Sequence, residues 1–263
     1  MDKLKQTIID ANNAYHNGQP IMTDDQYDAL IAKYESLTGT KWSDVGAPVL
    51  ASNGTVRTLP IWMGSMNKVK EERDITAWQH RHSPDSVLIT DKLDGISCLF
   101  AWYPSSKRYE VFTRGNGKEG TDITGLTDII PSLLALKTIV KSGSGPKWIY
   151  KNNLVYFIRG ELVIPKEIWE RERTTTWSRF ANTRNTVSGL VNQKLATATA
   201  ESREAMVKLH FVPFSIDMYH QTKKEWMLMR KEKMFAFLTS LSQSNTDIPN
   251  VFHGTSPITS LTK

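Results

Sequence analysis

The chain has 263 residues and a formal net charge of +6, with 40% hydrophobic and 23% charged residues. Those fractions are ordinary for a globular protein, and the length suits one large domain, or one domain with a small appendage, around a real core. The excess of cations fits an anionic partner, with nucleic acid first among them, or simply a basic soluble enzyme.

Cys98 is the only cysteine, which excludes an intrachain disulfide and a cysteine-rich zinc site and fits an intracellular, reducing home. The N-terminal MDKLKQTIID lacks a signal-type apolar core, and no apolar run is long enough to span a bilayer.

In chain order, Leu4, Ile8, Ala11 and Tyr15 fall on one face of a helix, which Gly18 and Pro20 break. Thr23 opens a second helix. Thr23 and Gln26 form a capping box, Asp24 and Asp25 suit its first turn, Tyr27, Leu30, Ile31, Tyr34 and Leu37 give its apolar face, and Gly39 stops it. Residues 45–58, rich in Gly, Pro, Ser and Asn, have the composition of a linker. Strand patterns recur over residues 87–90, 96–102, 108–113, 154–164 and 209–218, and Pro104-Ser105-Ser106 turns two of them into a hairpin. Helical stretches fall near residues 165–173 and 230–242, and KSGSGP, residues 141–146, reads as an exposed loop. Strands joined by hairpins with helices outside them predict an antiparallel α+β domain.

ITDKLDGISCLF, residues 89–100, holds the central anomaly. A half-buried strand pattern is interrupted by Lys92, Asp94 and Gly95, where an ammonium is costly to desolvate. One reading makes Lys92 a nucleophile. At the reference lysine pKa only about one amine in a few thousand is neutral at pH 7, and burial or nearby cations favour the neutral form that attacks phosphorus or a carbonyl. Asp94 would orient the amine or bind ribose or metal, and Gly95 would allow a close backbone approach. The other reading is an ordinary Lys-x-Asp-Gly turn. TRGNGKEGTDIT (113–124), FIRGELVI (157–164) and FANTRNTVSGLVN (180–192) add Arg114, Arg159, Glu161 and, in a loop, Asn182, Arg184 and Asn185. Together they offer cations for a polyphosphate and carboxylates for metal or sugar hydroxyls, or else a structural ion-pair network.

The order KLDG, TRGNG, RGE, FANTRN resembles the nucleotidyltransferase motifs of NAD-dependent DNA ligases. AYHNGQPIMTDDQYDAL, residues 14–30, resembles the small helical domain carried by that family, in which Tyr15, His16, Asp24, Tyr27 and Asp28 match residues that recognise the nicotinamide mononucleotide half of NAD. In LPIWMGSMNKV (59–69), Ser65 and Met66 match residues bordering the adenosine. The resemblance runs from about residue 5 to about residue 218. It implies a small helical NMN-binding domain over 1–55 and, over 56–263, an adenylation domain of the nucleotidyltransferase, ATP-grasp-like, class: antiparallel sheets flanked by helices. It further implies that Lys92 takes AMP from NAD, that Mg²⁺ assists, and that the AMP then activates a 5′-phosphate at a nick in duplex DNA. By the match, Arg114 and Arg184 face phosphate or ribose, Glu161 contacts ribose and metal, and Phe214 stacks on adenine. A monomer acting inside a cell, without a membrane, is the corresponding expectation.

The sequence departs from the family pattern at several points. Thr90 stands where a glutamate usually accepts from the adenine amino group; the threonine still offers an acceptor there, or Asp91 takes over that role. Asn116 and Thr121 replace acidic residues, and Asn192 replaces an arginine. TRGNG and SGLVN look like a divergent viral branch. A later carboxylate strand and two later lysines have no counterpart, so the chain reads as a fragment or a truncated form.

Three alternatives remain. Gly115 to Gly120 fits GxGxxG, but no acidic residue follows in LKTIVKS (136–142), and Pro131 interrupts the helix that Thr124 to Leu136 would form, whereas a dinucleotide-binding βαβ unit requires both the acid and the helix. An ATP-dependent ligase or a capping guanylyltransferase shares KLDG without needing residues 15–28. A non-catalytic nucleotide- or nucleic-acid-binding module could keep the fold and lose turnover.

Overall fold

The computed structural model describes residues 2–16, 21–42, 55–64, 71–82, 86–175, 177–178, 180, 182–227, 229, 231–244 and 252–257. Two helices come first, α1 (Asp2–His16) and α2 (Asp24–Thr38). They pack on each other, and α1 buries Ile8 and Ala11. The second is delimited by the chemistry expected of it. Thr23 caps it with a complete capping box, and Gly39 closes it at φ 65°. The backbone N–H of Trp42 donates to Glu35 at 2.9 Å and its ring meets Tyr34 edge-on at 5.0 Å, tying the following chain back onto α2.

Then follow β1 (Val56–Thr58), α3 (Glu72–His82), β2 (Ser86–Thr90), β3 (Ile96–Tyr103), β4 (Arg108–Thr113), β5 (Glu119–Thr121), α4 (Pro131–Ser142), β6 (Leu154–Val163), α5 (Lys166–Glu172), α6 (Thr183–Val191), α7 (Ala200–Val207), β7 (His210–His220), β8 (Glu225–Met227), α8 (Lys231–Ser244) and β9 (Phe252–Pro257). The main sheet has five strands in the order β4-β3-β6-β7-β8, every pairing antiparallel. β1 pairs with β5 and β2 with β9, also antiparallel. This is the α+β architecture the sequence implies.

Strand alternation divides the main sheet's side chains between two faces. Cys98, Phe100, Trp102, Leu154, Tyr156, Ile158 and Leu162 join one core with residues of α4, α6, α7 and α8. Leu99, Ala101, Val155 and Phe157 lie on the other face, beneath Leu59, Ile61 and Met63. The same face also carries Ser97, Arg159, Glu161 and Asp217.

Several expectations need correction. Pro131 does not interrupt a helix begun at Thr124. A 3₁₀ turn over Thr124–Asp128 ends first, and Pro131 then occupies the first turn of α4, where its missing N–H has no helical partner to lose. The tract from Lys141 is partly helical, since α4 runs to Ser142 before Gly143 ends it at φ 78°. Asn182, Arg184 and Asn185 are not in a loop. Asn182 caps α6 by accepting from the Asn185 N–H at 2.8 Å, and the other two lie in the first turn. Gly115 to Gly120 forms the tight connection from β4 to β5. Asn116 Oδ1 accepts from the N–H groups of Lys118 and Glu119, and Gly117 takes φ +89°. The connection is a turn inside antiparallel structure, so the dinucleotide-binding βαβ reading is overturned.

Candidate functional site

The run Asp91–Asp94 lies between β2 and β3 and belongs to neither strand. Lys92 is consequently exposed rather than sunk in a half-buried strand. Strands lie on either side, but residues 91–94 belong to no strand and the Lys92 amine stays in water. Gly95, by contrast, is buried against β6. A Cβ there would stand 2.0 Å from the carbonyl oxygen of Leu162, so only glycine permits this approach. Its N–H donates to the carboxylate of Glu161. The loop bearing Lys92 is thereby fastened to the sheet at its C-terminal end.

Glu161 is the polar centre of the second face and is 8% exposed. It faces Ser97 across the β3–β6 ladder, and Ser97 Oγ donates to its Oε2 at 2.9 Å. Burial pushes the Glu161 carboxyl above the usual carboxylate range, against the opposing pull of the Ser97 hydroxyl, Arg184, Arg114 and the Gly95 N–H. Arg114 follows β4, and its N–H donates to the Ser97 carbonyl at 2.9 Å. Burial, and then the neighbouring Arg184, lower its pKa, while Glu161 and Tyr15 work the other way. Arg184 Nη1 lies 3.7 Å from Asp94 Oδ1. Its guanidinium carbon stands 4.7 Å from the centre of the Tyr15 ring on α1.

The structure thus gathers Asp94, Arg114, Glu161, Arg184 and Tyr15, with Lys92 two residues from Asp94. Thr90 is exposed at the end of β2 and pairs with Phe252. Phe214 is half-buried at the irregularity of the β6–β7 ladder: Arg159 pairs with Ser215 and Gly160 with Pro213, leaving Phe214 as the extra residue. Bulges re-aim side chains next to sites, and Phe214 belongs to neither apolar core. Tyr27 and Asp28 are half-buried on α2. Ser65 and Met66 lie outside the described residues, as do the side chains of His16 and Asp24.

Arg159 has a structural partner, with its Nε 2.8 Å from Asp217 Oδ2 on β7. Asn192 ends α6 and donates to Ser188 Oγ at 3.3 Å. Sequence reasoning missed Ser97 and the contact of Arg184 with Tyr15. The first is decided by the register of β3 on β6, and the second by how α1 meets the sheet domain. Neither leaves a local pattern. Asn185 was noticed only as part of a polar loop; it is 5% exposed, and its Nδ2 has no hydrogen-bond partner among the described residues.

Two guanidiniums, a buried carboxylate and a hydroxyl below an exposed lysine can hold a phosphate chain and sugar hydroxyls beside an amine. Among the described residues, no cluster of three or more His, Cys, Asp or Glu side chains could by itself hold a metal. Glu161 and Asp94 are the carboxylates gathered here, so a cation at this place would complete its shell from substrate and water. That fits Mg²⁺, which takes one or two carboxylates and completes its shell with phosphate oxygens and water.

The fold is an antiparallel sheet flanked by helices that gathers two arginines and a buried carboxylate beside the loop of an exposed lysine. The family model for the NAD-dependent DNA ligase adenylation domain matches residues 57–259, and the chain belongs to that family. A DNA ligase of Acanthamoeba polyphaga mimivirus is 32% identical over 235 residues, covering 88% of this chain and 32% of that protein. A putative DNA ligase of invertebrate iridescent virus 6 is 34% identical over 193 residues, covering 73% and 26%. A DNA ligase of the bacterium Acinetobacter baylyi is 31% identical over 227 residues, covering 77% and 31%. The chain thus spans no more than about a third of the length of these relatives. Viral and bacterial members both stand among the similar proteins, consistent with a viral-type member. A solved RNA ligase of Naegleria gruberi, with pyrophosphate, aligns over 91% of this chain and 58% of that one at 14% identity and a TM-score of 0.43.

Proposed function

We propose that this chain carries out the first chemical step of an NAD-dependent DNA ligase, the transfer of AMP from NAD to Lys92. The observation that carries the reading is the anchoring of the Lys92 loop, through the buried Gly95, beside the Glu161 carboxylate, which accepts from Ser97 and lies in the field of Arg114 and Arg184. The Lys92 nitrogen forms a bond to the α-phosphorus of NAD. The pyrophosphate P–O bond breaks, nicotinamide mononucleotide departs with that oxygen and its electron pair, and the amine loses a proton. Arg114 and Arg184 hold the phosphates and offset the charge that grows on them. Glu161 is the residue that would hold Mg²⁺, which, when bound, would neutralise phosphate charge. The dinucleotide itself covers the exposed amine when it binds, supplying the desolvation that the loop alone does not.

Residues 1–55 form the nicotinamide mononucleotide cradle in this reading, with Tyr15, His16, Asp24, Tyr27 and Asp28 as its contacts. Residues 56–263 form the adenylation domain, where Ser65, Met66, Thr90 and Phe214 surround the adenosine. The AMP then passes to a 5′-phosphate at a nick in duplex DNA, and the chain works as a monomer inside a cell. Intact mass of the protein before and after incubation with NAD and Mg²⁺, followed by peptide mapping, tests the first step. One AMP on Lys92 is expected. Stabilisation by NAD with no adduct would instead favour a binding module without turnover.

A further inference from the structure

One cation links three parts of the molecule. Arg184 rises from the first turn of α6, stands with its guanidinium carbon 4.7 Å from the Tyr15 ring centre, and has Nη1 3.7 Å from Asp94. Its side chain is only 20% exposed, so the contact with Tyr15 is sheltered, where a cation on an aromatic face is worth most. A planar guanidinium also stacks on a ring in a way that an ammonium does not. The same charge opposes Arg114 and favours ionised Glu161. Arg184 is therefore drawn two ways, towards the ring of α1 and towards the carboxylates beside the Lys92 loop.

The nicotinamide ring of NAD is itself a cation, a pyridinium. It seeks the same kind of surface that Arg184 covers, and one ring face accommodates one such group. We infer that Arg184 is a specificity-determining residue: before substrate binds it occupies the face of Tyr15, and the nicotinamide must displace it. This rests on Tyr15 belonging to the nicotinamide mononucleotide cradle. Displacement ties recognition of the leaving group to the chemistry. A guanidinium expelled from Tyr15 stays close to Asp94 and Glu161, where the phosphates of the dinucleotide lie. A nucleotide without a cationic ring, such as ATP, leaves Arg184 on Tyr15. Apparent affinity for the ring is lowered by the fraction of molecules in which its place is taken.

Nicotinamide riboside carries the cationic ring without a phosphate, so it separates this effect from phosphate binding. Its affinity for the full chain is measured by NMR titration in wild type, Arg184→Met, Arg184→Lys and Tyr15→Ala, with folding checked by melting temperature. Arg184→Met should bind the riboside about three- to tenfold more tightly than wild type, the size expected when a competing cation–π contact is removed. Arg184→Lys should fall between, and it carries the same test if Arg184→Met does not fold. Tyr15→Ala should lose riboside binding, and Arg184→Met combined with Tyr15→Ala should show no gain over Tyr15→Ala alone. Weaker or unchanged binding in both Arg184 variants, with binding still lost in Tyr15→Ala, overturns the inference and leaves the cradle standing. Binding that is indifferent to Tyr15→Ala, or no binding by any form, overturns the cradle and the inference together.

Discussion

Glu161 and Glu172 are each 8% exposed, yet their surroundings move them in opposite directions. Glu172 ends α5, and both its oxygens accept from Lys208 Nζ, at 2.8 and 2.6 Å, with Arg171 Nη2 at 3.3 Å. Lys208 also lies 5.8 Å from the centre of the Trp177 ring, which stacks on Trp169. That carboxyl is held below its usual range, chiefly by Lys208. Glu161 has a hydroxyl and a backbone N–H for partners and two arginines near it, and burial raises it. One is a brace whose charge is matched inside the fold. The other keeps its proton affinity high although two arginines stand near it, and its proposed part is to meet a substrate or cation from outside the fold. Carboxyls poised in this second way cluster at working sites.

Substitutions can break that contrast, and the largest effects belong to the site. Lys92→Ala should eliminate AMP attachment while leaving the melting temperature within a degree or so of wild type, because an exposed side chain contributes little to stability. Intact mass and a thermal melt read both. Glu161→Gln should slow AMP attachment by about a hundredfold, the scale of losing one electrostatic partner of the reacting phosphate. Its neutral-pH stability should equal or exceed that of wild type, since a buried charge is removed. Single-turnover labelling and denaturant unfolding would show it, and a marked loss of stability would make Glu161 a brace after all.

Gly95→Ala places a methyl against the Leu162 carbonyl. It should cost roughly 1–3 kcal/mol by overpacking and, by loosening the Lys92 loop, lower the labelling rate in the molecules that remain folded. Glu172→Gln should cost roughly 1–3 kcal/mol, as a paired Lys208 is left without its carboxylate, with the labelling rate per folded molecule unchanged.

The smallest effects are in the pH profiles. The folded state holds Glu172 ionised more firmly than the unfolded chain does, so its stabilisation is present above the ordinary carboxyl range and disappears as pH falls through the depressed value. The folded state holds the Glu161 proton more firmly, so stability declines as pH rises from the ordinary range towards the raised value. Melting temperature against pH should therefore lose part of its acid limb in Glu172→Gln, and lose the decline at higher pH in Glu161→Gln. Identical profiles would remove the distinction between the two carboxyls.

What was legible in the sequence follows the range of the interactions. Thr23, Gln26 and Gly39 delimit α2 through contacts a few residues apart, and that helix was readable to its caps. β4 and the Pro104 turn are equally local. The motifs naming Lys92, Asp94, Arg114, Glu161 and Arg184 were readable because chemistry constrains residue type. Their meeting was not, because it depends on β3 pairing with β6 and on α1 reaching α6. β1, β5 and β8 have three residues each, too few for alternation to show. α6 hides because Thr, Val, Ser and Gly fill a helix held mainly by packing and its Asn182 cap. The exposure of Lys92 was misjudged because strand periodicity extends across a gap that only the backbone reveals.

The central claim is that Lys92 receives its AMP from a dinucleotide recognised in part by α1. The most direct measurement follows label from the adenylate half of NAD, and separately from ATP, into wild type, Lys92→Ala and Tyr15→Ala with Mg²⁺ present. The account predicts label from NAD into wild type alone, at Lys92, with Tyr15→Ala strongly impaired and ATP giving little. Equal labelling from ATP, untouched by Tyr15→Ala, or an adduct mapped to another residue, would contradict it.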